Sequence, residues 1–417
     1  MKIKNLLFAA LTGSLLFNAC KKDVSPPLFN NSKQQLDPSK VFKLPETLAE
    51  KQLVENLGKT TEVFKELYKN KNNIKIVTAA IYSKTYTDES VLLKDLLYPQ
   101  NSLLFNNKNF IKISNTLGIK LEDLSKNFFE IVSKKNDNDF KAFLQNLNVK
   151  SDLNLNTNSL QTQSYYNGGY GDRVSIYYPY SDMFIDDNGN YNYYAPITTV
   201  ATATADADQG WASQPYYLNG VLQGYNQVLI DDAYVEQNAT HIIGINGIEA
   251  YEYETSASII PIEVANIGTR VYLGEVICKN QYDPLISFTG NGGGSELRYL
   301  RLSAYLKPVN QQVTAAADEI SKDFSRSDIK KRRWLRIMSI WDADWKSGND
   351  EQILGIYKDD TEGTKDFTGS LSTDLDSLGL PIKGSVTYKH SIKTQDDIIR
   401  HLKITRSSYF GGAFNNQ

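Results

Sequence analysis

The spacing of apolar residues changes along the chain, and this change divides it into regions. Between 44 and 148, apolar positions recur every three or four residues. The stretch LAEKQLVENLGKTTEVFKELYKN shows the pattern, with Leu53, Leu57 and Phe64 on one helical face. We therefore expect four to six short helices in this region, with their apolar faces packed together as a small N-terminal helical bundle.

A polar, low-complexity stretch at 149–164 comes next, and its composition is typical of a linker. Beyond it, runs rich in β-branched and aromatic residues alternate with Gly, Asn and Asp, which indicates strands and turns. We assign 165–268 to a Tyr-rich β domain and 269–417 to an antiparallel β-sandwich, so the predicted fold is α+β and multidomain. The strand-like runs of the predicted sandwich are 271–278, 297–306, 334–341, 352–357, 367–371, 384–390 and 398–405.

The first twenty residues have the pattern of an export signal. Lys2 and Lys4 precede an apolar run at 6–17 that is too short to span a bilayer comfortably. The run ends in LLFNAC, which resembles the cleavage site of a bacterial lipoprotein signal peptide. This resemblance implies removal of 1–19 and acylation of Cys20, with the lipid as the membrane attachment. The alternative is an ordinary signal peptide that happens to end in a cysteine.

The residues that follow the signal also point to the cell envelope. CKKD resembles the surface-export tag of Bacteroidetes lipoproteins, which usually has two acids where this chain has only Asp23. The region 20–43 is predicted to be a tether. The whole chain resembles uncharacterised surface lipoproteins of Bacteroidetes, on the stretches LKDLLYPQNSLL, ITTVATATADADQGW, LISFTGNGGGSE and DDTEGTK. The resemblance implies a surface-exposed lipoprotein of the outer membrane and no particular activity.

Composition and motifs restrict the chemistry. The net charge of −3 and the pI of about 5.8 give no basic surface for nucleic acid, so we expect no nucleic-acid partner. Cys278 is the one cysteine besides Cys20, which leaves no pair for a disulfide in the mature chain. The three histidines form no zinc motif, and the sequence has no P-loop and no Gly-x-Ser-x-Gly motif. The sequence therefore favours a protein without enzymatic activity.

A carboxylate-based hydrolase of glycan or peptide is an alternative, because two acids on separate strands leave no local motif. The candidates are Asp206 with Asp208 and Asp231 with Asp232, and each pair lies at the end of a predicted strand. The structural interpretation of both pairs is a solvated turn.

The stretch SIWDADWKSGNDEQILG is the strongest candidate for a binding site. It places Asp342, Asp344 and Asp350 after an apolar run and resembles the third calcium loop of the calcium- and phospholipid-binding β-sandwich domain of protein kinase C and synaptotagmin. The resemblance implies a Ca²⁺ site formed by these carboxylates and Asp283, which belongs to an Asp-Pro pair in an earlier loop. The family's companion acid is missing, since Ile277 stands there. The alternative is a hairpin whose aspartates cap backbone N–H groups.

A basic cluster lies close to this loop, in the sequence SRSDIKKRRW. Its cationic residues are Arg326, Lys330, Lys331, Arg332 and Arg333. One interpretation is a patch that recognises an acidic glycan or lipopolysaccharide, and the other is the solvated start of a strand.

The leading functional hypothesis is a lipid-anchored surface module without enzymatic activity that binds an envelope or extracellular polymer, such as a glycan, or a protein. Calcium dependence is part of this hypothesis through the acidic loop. Two alternatives are the hydrolase described above and a structural subunit of an envelope complex. The anchor is predicted from a motif, whereas the ligand is not specified by any motif.

Overall fold

The computed structural model describes residues 35–86, 89–148, 173–185, 190–193, 197–200, 205–245, 270–290, 292–306, 313–345, 349–358, 365–374, 383–392 and 398–410. Cys20, the predicted signal peptide and the predicted linker at 149–164 lie outside these ranges. Within them, no helix is both long enough and apolar enough to cross a membrane.

The helices of the N-terminal part follow the predicted spacing of apolar residues. They are α1 (Leu48–Leu67), α2 (Lys71–Tyr82), α3 (Leu93–Leu97), α4 (Lys108–Leu117), α5 (Leu121–Ser133) and α6 (Asn138–Asn146). A capping box starts α1, because the Thr47 hydroxyl accepts from the Glu50 N–H while the Glu50 carboxylate accepts from the Thr47 N–H. Three short helices come later, namely α7 (Asp232–Gln237), α8 (Arg326–Lys330) and α9 (Arg406–Phe410).

The strands lie mostly in the second half of the chain. They are β1 (Val41–Lys43), β2 (Ser90–Leu92), β3 (Val174–Tyr177), β4 (Thr198–Val200), β5 (Asp206–Ala207), β6 (Gly210–Leu218), β7 (Val221–Ile230), β8 (Thr240–Ile245), β9 (Val271–Val276), β10 (Ser295–Leu306), β11 (Val313–Phe324), β12 (Leu335–Asp342), β13 (Glu351–Lys358), β14 (Lys365–Asp374), β15 (Lys383–Ile392) and β16 (Arg400–Thr405). Helices and largely antiparallel sheets together make the fold mixed α+β, as predicted.

A six-stranded sheet in the order β2-β3-β8-β4-β6-β7 separates two apolar layers. On one face, Ile176 and Ile243 join the core formed by the N-terminal helices. On the other face, Ile242 packs with Val235 of α7 and with Leu285. Successive strand residues point to opposite faces, so neighbouring residues of β8 serve different cores.

The helices and this sheet share one hydrophobic core. It contains residues of the predicted helical domain (44–148) together with residues of the predicted β domain (165–268). The core therefore continues across the boundary that the sequence suggested. The contacts that join the two parts are far apart in sequence, as in the hydrogen bond of 2.7 Å between the Tyr68 hydroxyl and His241 Nδ1.

The C-terminal part is built around a four-stranded antiparallel sheet in the order β11-β10-β13-β16. Both of its faces are apolar. Leu302 and Ile353 are register partners on one face, and they pack against the hairpin of β14 and β15. Tyr299 and Ile356 are register partners on the other face, and they pack against the pair of β9 and β12.

Two local predictions were wrong, and one long strand was not predicted. The end of the predicted tether at 20–43 is folded, because β1 pairs with β5 through Val41 and Ala207. The β-branched run QVLIDDAYV predicts a strand throughout, but its end is α7, which Asp231 caps. The long strand β11 was not predicted, since its Ala-, Glu- and Lys-containing sequence has weak strand propensity, and pairing with β10 over its full length overrides that preference.

Candidate functional site

The acidic loop lies between β12 and β13, which belong to different sheets. Asp342 is largely buried and forms an ion pair of 2.9 Å with Arg301 of β10. One Asp342 oxygen accepts the Asp344 N–H at 2.9 Å, and the other accepts the Gln352 side-chain amide. The loop therefore starts with an Asx turn of the kind expected for a hairpin in which aspartate bonds to local N–H groups.

Asp283 lies apart from this loop. It is buried and pairs with Lys358 at 2.9 Å, and it also accepts the Glu296 N–H at 3.3 Å. Lys358 is the last residue of β13, whereas Gln352, the partner of Asp342, is near its first residue. Six strand residues span about 20 Å. Asp283 and Asp342 thus contact opposite ends of one strand, and the structure does not bring them together.

The described residues contain no group of three or more His, Cys, Asp or Glu side chains placed to hold a metal ion. The predicted four-carboxylate site is therefore not assembled, because Asp283 is held by Lys358 instead. Calcium binding by Asp342, Asp344 and Asp350 stays a prediction of the sequence.

The basic cluster is divided among carboxylate partners. Arg326, the first residue of α8, is completely buried, and its Nη1 donates to both carboxylate oxygens of Asp232 at 2.6 and 2.7 Å. Its Nε donates to the Gly293 carbonyl at 3.0 Å, and its Nη2 donates to the Asp283 carbonyl at 2.6 Å. The guanidinium thus joins the region of α7 to two loops of the C-terminal part.

The other cations of the cluster lie near the surface. Lys330 pairs with Glu236 at 3.0 Å, and Lys331 pairs with Asp182 at 3.0 Å. Arg333 pairs with Asp182 at 2.8 Å and with Asp328 at 3.1 Å. Arg332 is exposed and has a left-handed backbone with φ of 50°. The cluster mainly fastens α8 and the residues after it to acids from distant parts of the chain.

The acids suggested for a hydrolase also have structural partners. Asp206 is buried, accepts the Phe288 N–H at 2.7 Å and the Thr289 hydroxyl at 2.5 Å, and burial raises its pKa. Asp208 accepts the Leu285 N–H at 3.2 Å, and burial raises its pKa too.

Of the second pair, Asp231 caps α7 by accepting the Tyr234 N–H at 2.9 Å, and Asp232 holds Arg326. Neither pair therefore presents two carboxylates to a common open site.

A cleft that the sequence did not indicate lies at one end of the six-stranded sheet. Strand β4 has three residues and its neighbour β6 has nine, so β6 continues past the start of β4. The pairing of Thr199 with Ser213 places Gln214 and the residues after it beside this gap. The cleft has a volume of about 370 Å³. Its lining includes Phe184, Thr198, Gln214, Tyr217, Gln237 and Asn238.

The walls of this cleft are fixed by hydrogen bonds. Thr198 is buried, its N–H donates to the Ala239 carbonyl at 2.9 Å, and its hydroxyl lies 3.2 Å from the Tyr234 hydroxyl. Asn238 is the C-cap of α7, and its side-chain amide donates to the Tyr234 carbonyl at 3.0 Å. Gln237, the last residue of α7, is exposed at the rim.

The chemistry of the cleft is polar and uncharged. Gln214, Gln237 and Asn238 are primary amides, each able to donate and accept hydrogen bonds. Phe184 and Tyr217 supply aromatic rings. None of the described residues that line the cleft carries a charge. The high Tyr content of 165–268 was the one sequence signal for such a surface. This composition does not show where in the region the cleft lies.

Comparisons of the chain with protein families, with curated proteins and with solved structures found no match. The site is therefore interpreted from its own geometry.

Proposed function

We propose that this chain is a lipoprotein anchored in the outer membrane through Cys20 that binds a polymer of the envelope or extracellular space without enzymatic activity. The cleft beside β6 is the proposed binding site, and a neutral glycan is the proposed polymer.

The observation that supports a neutral glycan is the uncharged lining of the cleft, which combines three primary amides with two aromatic rings. A primary amide can donate to one sugar hydroxyl while it accepts from the next. An aromatic side chain offers a flat apolar surface for the C–H face of a sugar ring. The volume of about 370 Å³ is at the small end of ligand sites. A cleft of this size accommodates a short stretch of a longer polymer.

Affinity electrophoresis tests the proposal. The purified chain is run through gels that contain the neutral polysaccharides dextran, laminarin or xylan, or the acidic polysaccharide alginate. We expect retardation by at least one neutral polysaccharide and none by alginate. Gln237→Ala removes an exposed amide, and we expect the dissociation constant to rise about 3- to 10-fold, the effect of one lost neutral hydrogen bond. Tyr217→Ala removes the aromatic surface and weakens binding at least as much.

The matched control is Tyr272→Ala, which removes a ring that is 42% exposed on β9 in the C-terminal part. This variant keeps the affinity of the wild type. The proposed site is refuted if none of the neutral polysaccharides retards the chain, or if Gln237→Ala and Tyr217→Ala bind as tightly as Tyr272→Ala.

The anchor is tested separately by labelling cells with radioactive palmitate. The wild type incorporates label and Cys20→Ala does not, because the acyl chains attach to this residue. Equal labelling of the two chains contradicts the lipid anchor and leaves the glycan site unaffected.

The finer architecture is part of the same proposal. We infer a helical bundle ahead of a β-rich region that ends in an antiparallel sandwich, with the hairpin of β14 and β15 stacked on the four-stranded sheet as support. The acidic loop adds a calcium-dependent element to this sandwich.

A further inference from the structure

Three large apolar side chains lie on the surface where the described fold begins. Phe42 and Leu44 are each 60% exposed, and Leu48 is 73% exposed. They fall within seven residues of one another in sequence, and we call them the basal patch. Large apolar side chains gathered in this way mark a contact surface, whereas single ones are ordinary.

The backbone holds the basal patch outward. Strand β1 pairs with β5 through Val41 and Lys43, and both are partly buried. Since side chains alternate along a strand, Phe42 points to the side away from those partly buried residues, and Leu44, which follows the strand, is equally exposed. The capping box at Thr47 fixes the first turn of α1, which carries Leu48. The exposure is thus set by pairing and capping.

The length of chain between Cys20 and the fold limits how far the basal patch can lie from the lipid. Fourteen residues, 21–34, separate Cys20 from Gln35, the first described residue. Even a fully extended chain of this length reaches no more than about 50 Å. If Cys20 carries lipid, the basal patch is therefore always within reach of the bilayer surface.

We propose that the basal patch inserts into the lipid surface in which Cys20 is anchored, so that the protein sits on the membrane in one orientation. This inference rests on the proposed lipid anchor. Partial burial of apolar side chains at the interface adds a second attachment to the acyl chains, and two signals together make a stable anchor.

Apolar contact and not charge provides the attraction. The exposed lysines near the patch, Lys40 and Lys51, are balanced by the exposed acids Asp37 and Glu46. Lys43 pairs with Glu50 at 3.6 Å. The patch thus has no net charge to attract anionic lipid, and salt has little to screen.

The orientation has a consequence for the cleft. Leu48 is the first residue of α1 and Lys65 is near its end, about 25 Å away along the helix. The Tyr225 hydroxyl of β7 donates to the Lys65 carbonyl at 2.7 Å, and Tyr225 pairs with Pro215 of β6, close to Tyr217 in the cleft. With the basal patch in the lipid, the contact of Lys65 with the strands of the cleft lies at the other end of α1 from the inserted Leu48.

The test uses the acylated full chain in vesicles, with a polarity-sensitive fluorophore on Leu48→Cys. This thiol is the accessible one, because Cys20 carries the lipid and Cys278 is buried. The matched control is Leu218→Cys, at a side chain that is 53% exposed in the β6–β7 hairpin. We expect a blue-shifted emission at 48 and quenching by nitroxide lipids several-fold stronger than at 218. The difference persists at about 0.5 M salt and on both neutral and anionic vesicles.

Further variants separate the outcomes. Phe42→Ser combined with Leu44→Ser lowers the quenching at 48 towards the value at 218. If the chain floats with vesicles while 48 and 218 are equally exposed to an aqueous quencher, the basal patch proposal is wrong and the lipid anchor stands. If Cys20→Ala floats as well as the wild type, the anchor proposal is wrong. The emission at 48 could also shift to the blue without vesicles and increasingly with protein concentration. This result would assign the basal patch to contact with a second copy of the chain and would overturn the membrane contact.

Discussion

Replacing Arg326 by Ala should destabilise the protein more than any other change in the basic cluster. The guanidinium is completely buried, makes two hydrogen bonds to Asp232, and donates to the carbonyls of Gly293 and Asp283. Its removal takes one donor from each carbonyl, at a cost of about 0.5–1.5 kcal/mol each, because both still accept from Gln281 Nε2 at 3.1 and 3.2 Å. The Asp232 side chain is 42% exposed and regains water, so its share of the cost is smaller.

The expected loss in the free energy of unfolding is about 2–4 kcal/mol, from the lost hydrogen bonds and the loss of a completely buried side chain. Arg326→Lys should lose most of the same stability, because an ammonium group cannot reach three acceptors with the planar geometry of a guanidinium. The surface pair of Lys330 and Glu236 supplies the matched control, since Lys330 is 53% exposed. Lys330→Ala should cost no more than about 1 kcal/mol.

Thermal unfolding followed by circular dichroism measures the effect. We expect the melting temperature of Arg326→Ala to fall by on the order of 5–10 °C, and that of Lys330→Ala to stay within about 2 °C of the wild type. Equal melting temperatures for the two variants would refute the assignment of Arg326 as the buried link between α7 and the C-terminal part.

Three further changes test other parts of the structure. Burial and the nearby Asp182 raise the pKa of Glu89 to about 7, from an ordinary value of 4.5. The stability that comes from protonated Glu89 is therefore complete below pH 4.5 and lost as the pH rises through 7. Glu89→Gln should remove this pH dependence, so that the free energy of unfolding of the variant relative to the wild type is about 2 kcal/mol higher at pH 8 than at pH 4 in urea titrations. An equal difference at both pH values would contradict this. A Cβ at Gly355 would lie 2.7 Å from the Phe367 ring. Gly355→Ala should thus cost about 1–3 kcal/mol by displacing the β14–β15 hairpin, whereas Gly274→Ala, which meets no atom within 4 Å, should be tolerated. If the loop of Asp342, Asp344 and Asp350 binds calcium, millimolar Ca²⁺ should raise the melting temperature and a chelator should reverse the rise, and Asp344→Asn should abolish it. No shift in the wild type would remove calcium from the proposal.

Local sequence patterns predicted the elements whose apolar residues form a continuous or regularly spaced run. Strand β13 was found because its apolar run is continuous, and that run is continuous because both faces of its sheet are covered. Helix α1 was found from the spacing of its apolar residues. Strand β6 was missed because Gln214 and Pro215 interrupt its apolar run, and its place is set by pairing with β7.

The arrangement of the candidate sites was not predicted, because many of the partners of their side chains are distant in sequence. The five cations of SRSDIKKRRW are neighbours in sequence, which suggested one patch. Arg326, Lys330, Lys331 and Arg333 each have a carboxylate partner 90 or more positions away, as with Arg326 and Asp232. The sequence of the acidic loop contains a motif, but it does not show where Asp283 lies. The structure places Asp283 at the other end of β13. A local motif identifies donors and acceptors, whereas their partners depend on pairings between distant strands.

The cleft and the basal patch have a common structural cause. Each lies where a very short strand meets a longer element, since β4 ends beside β6 and β1 gives way to α1 after three residues. A short strand leaves neighbouring side chains without a cross-strand partner, so they are exposed for a ligand or a lipid surface. Helix α1 connects the two places, with Leu48 at one end and the Lys65 contact to Tyr225 at the other. Because α1 has 20 residues, about 25 Å of helix separates Leu48 of the basal patch from the Lys65 contact beside the cleft.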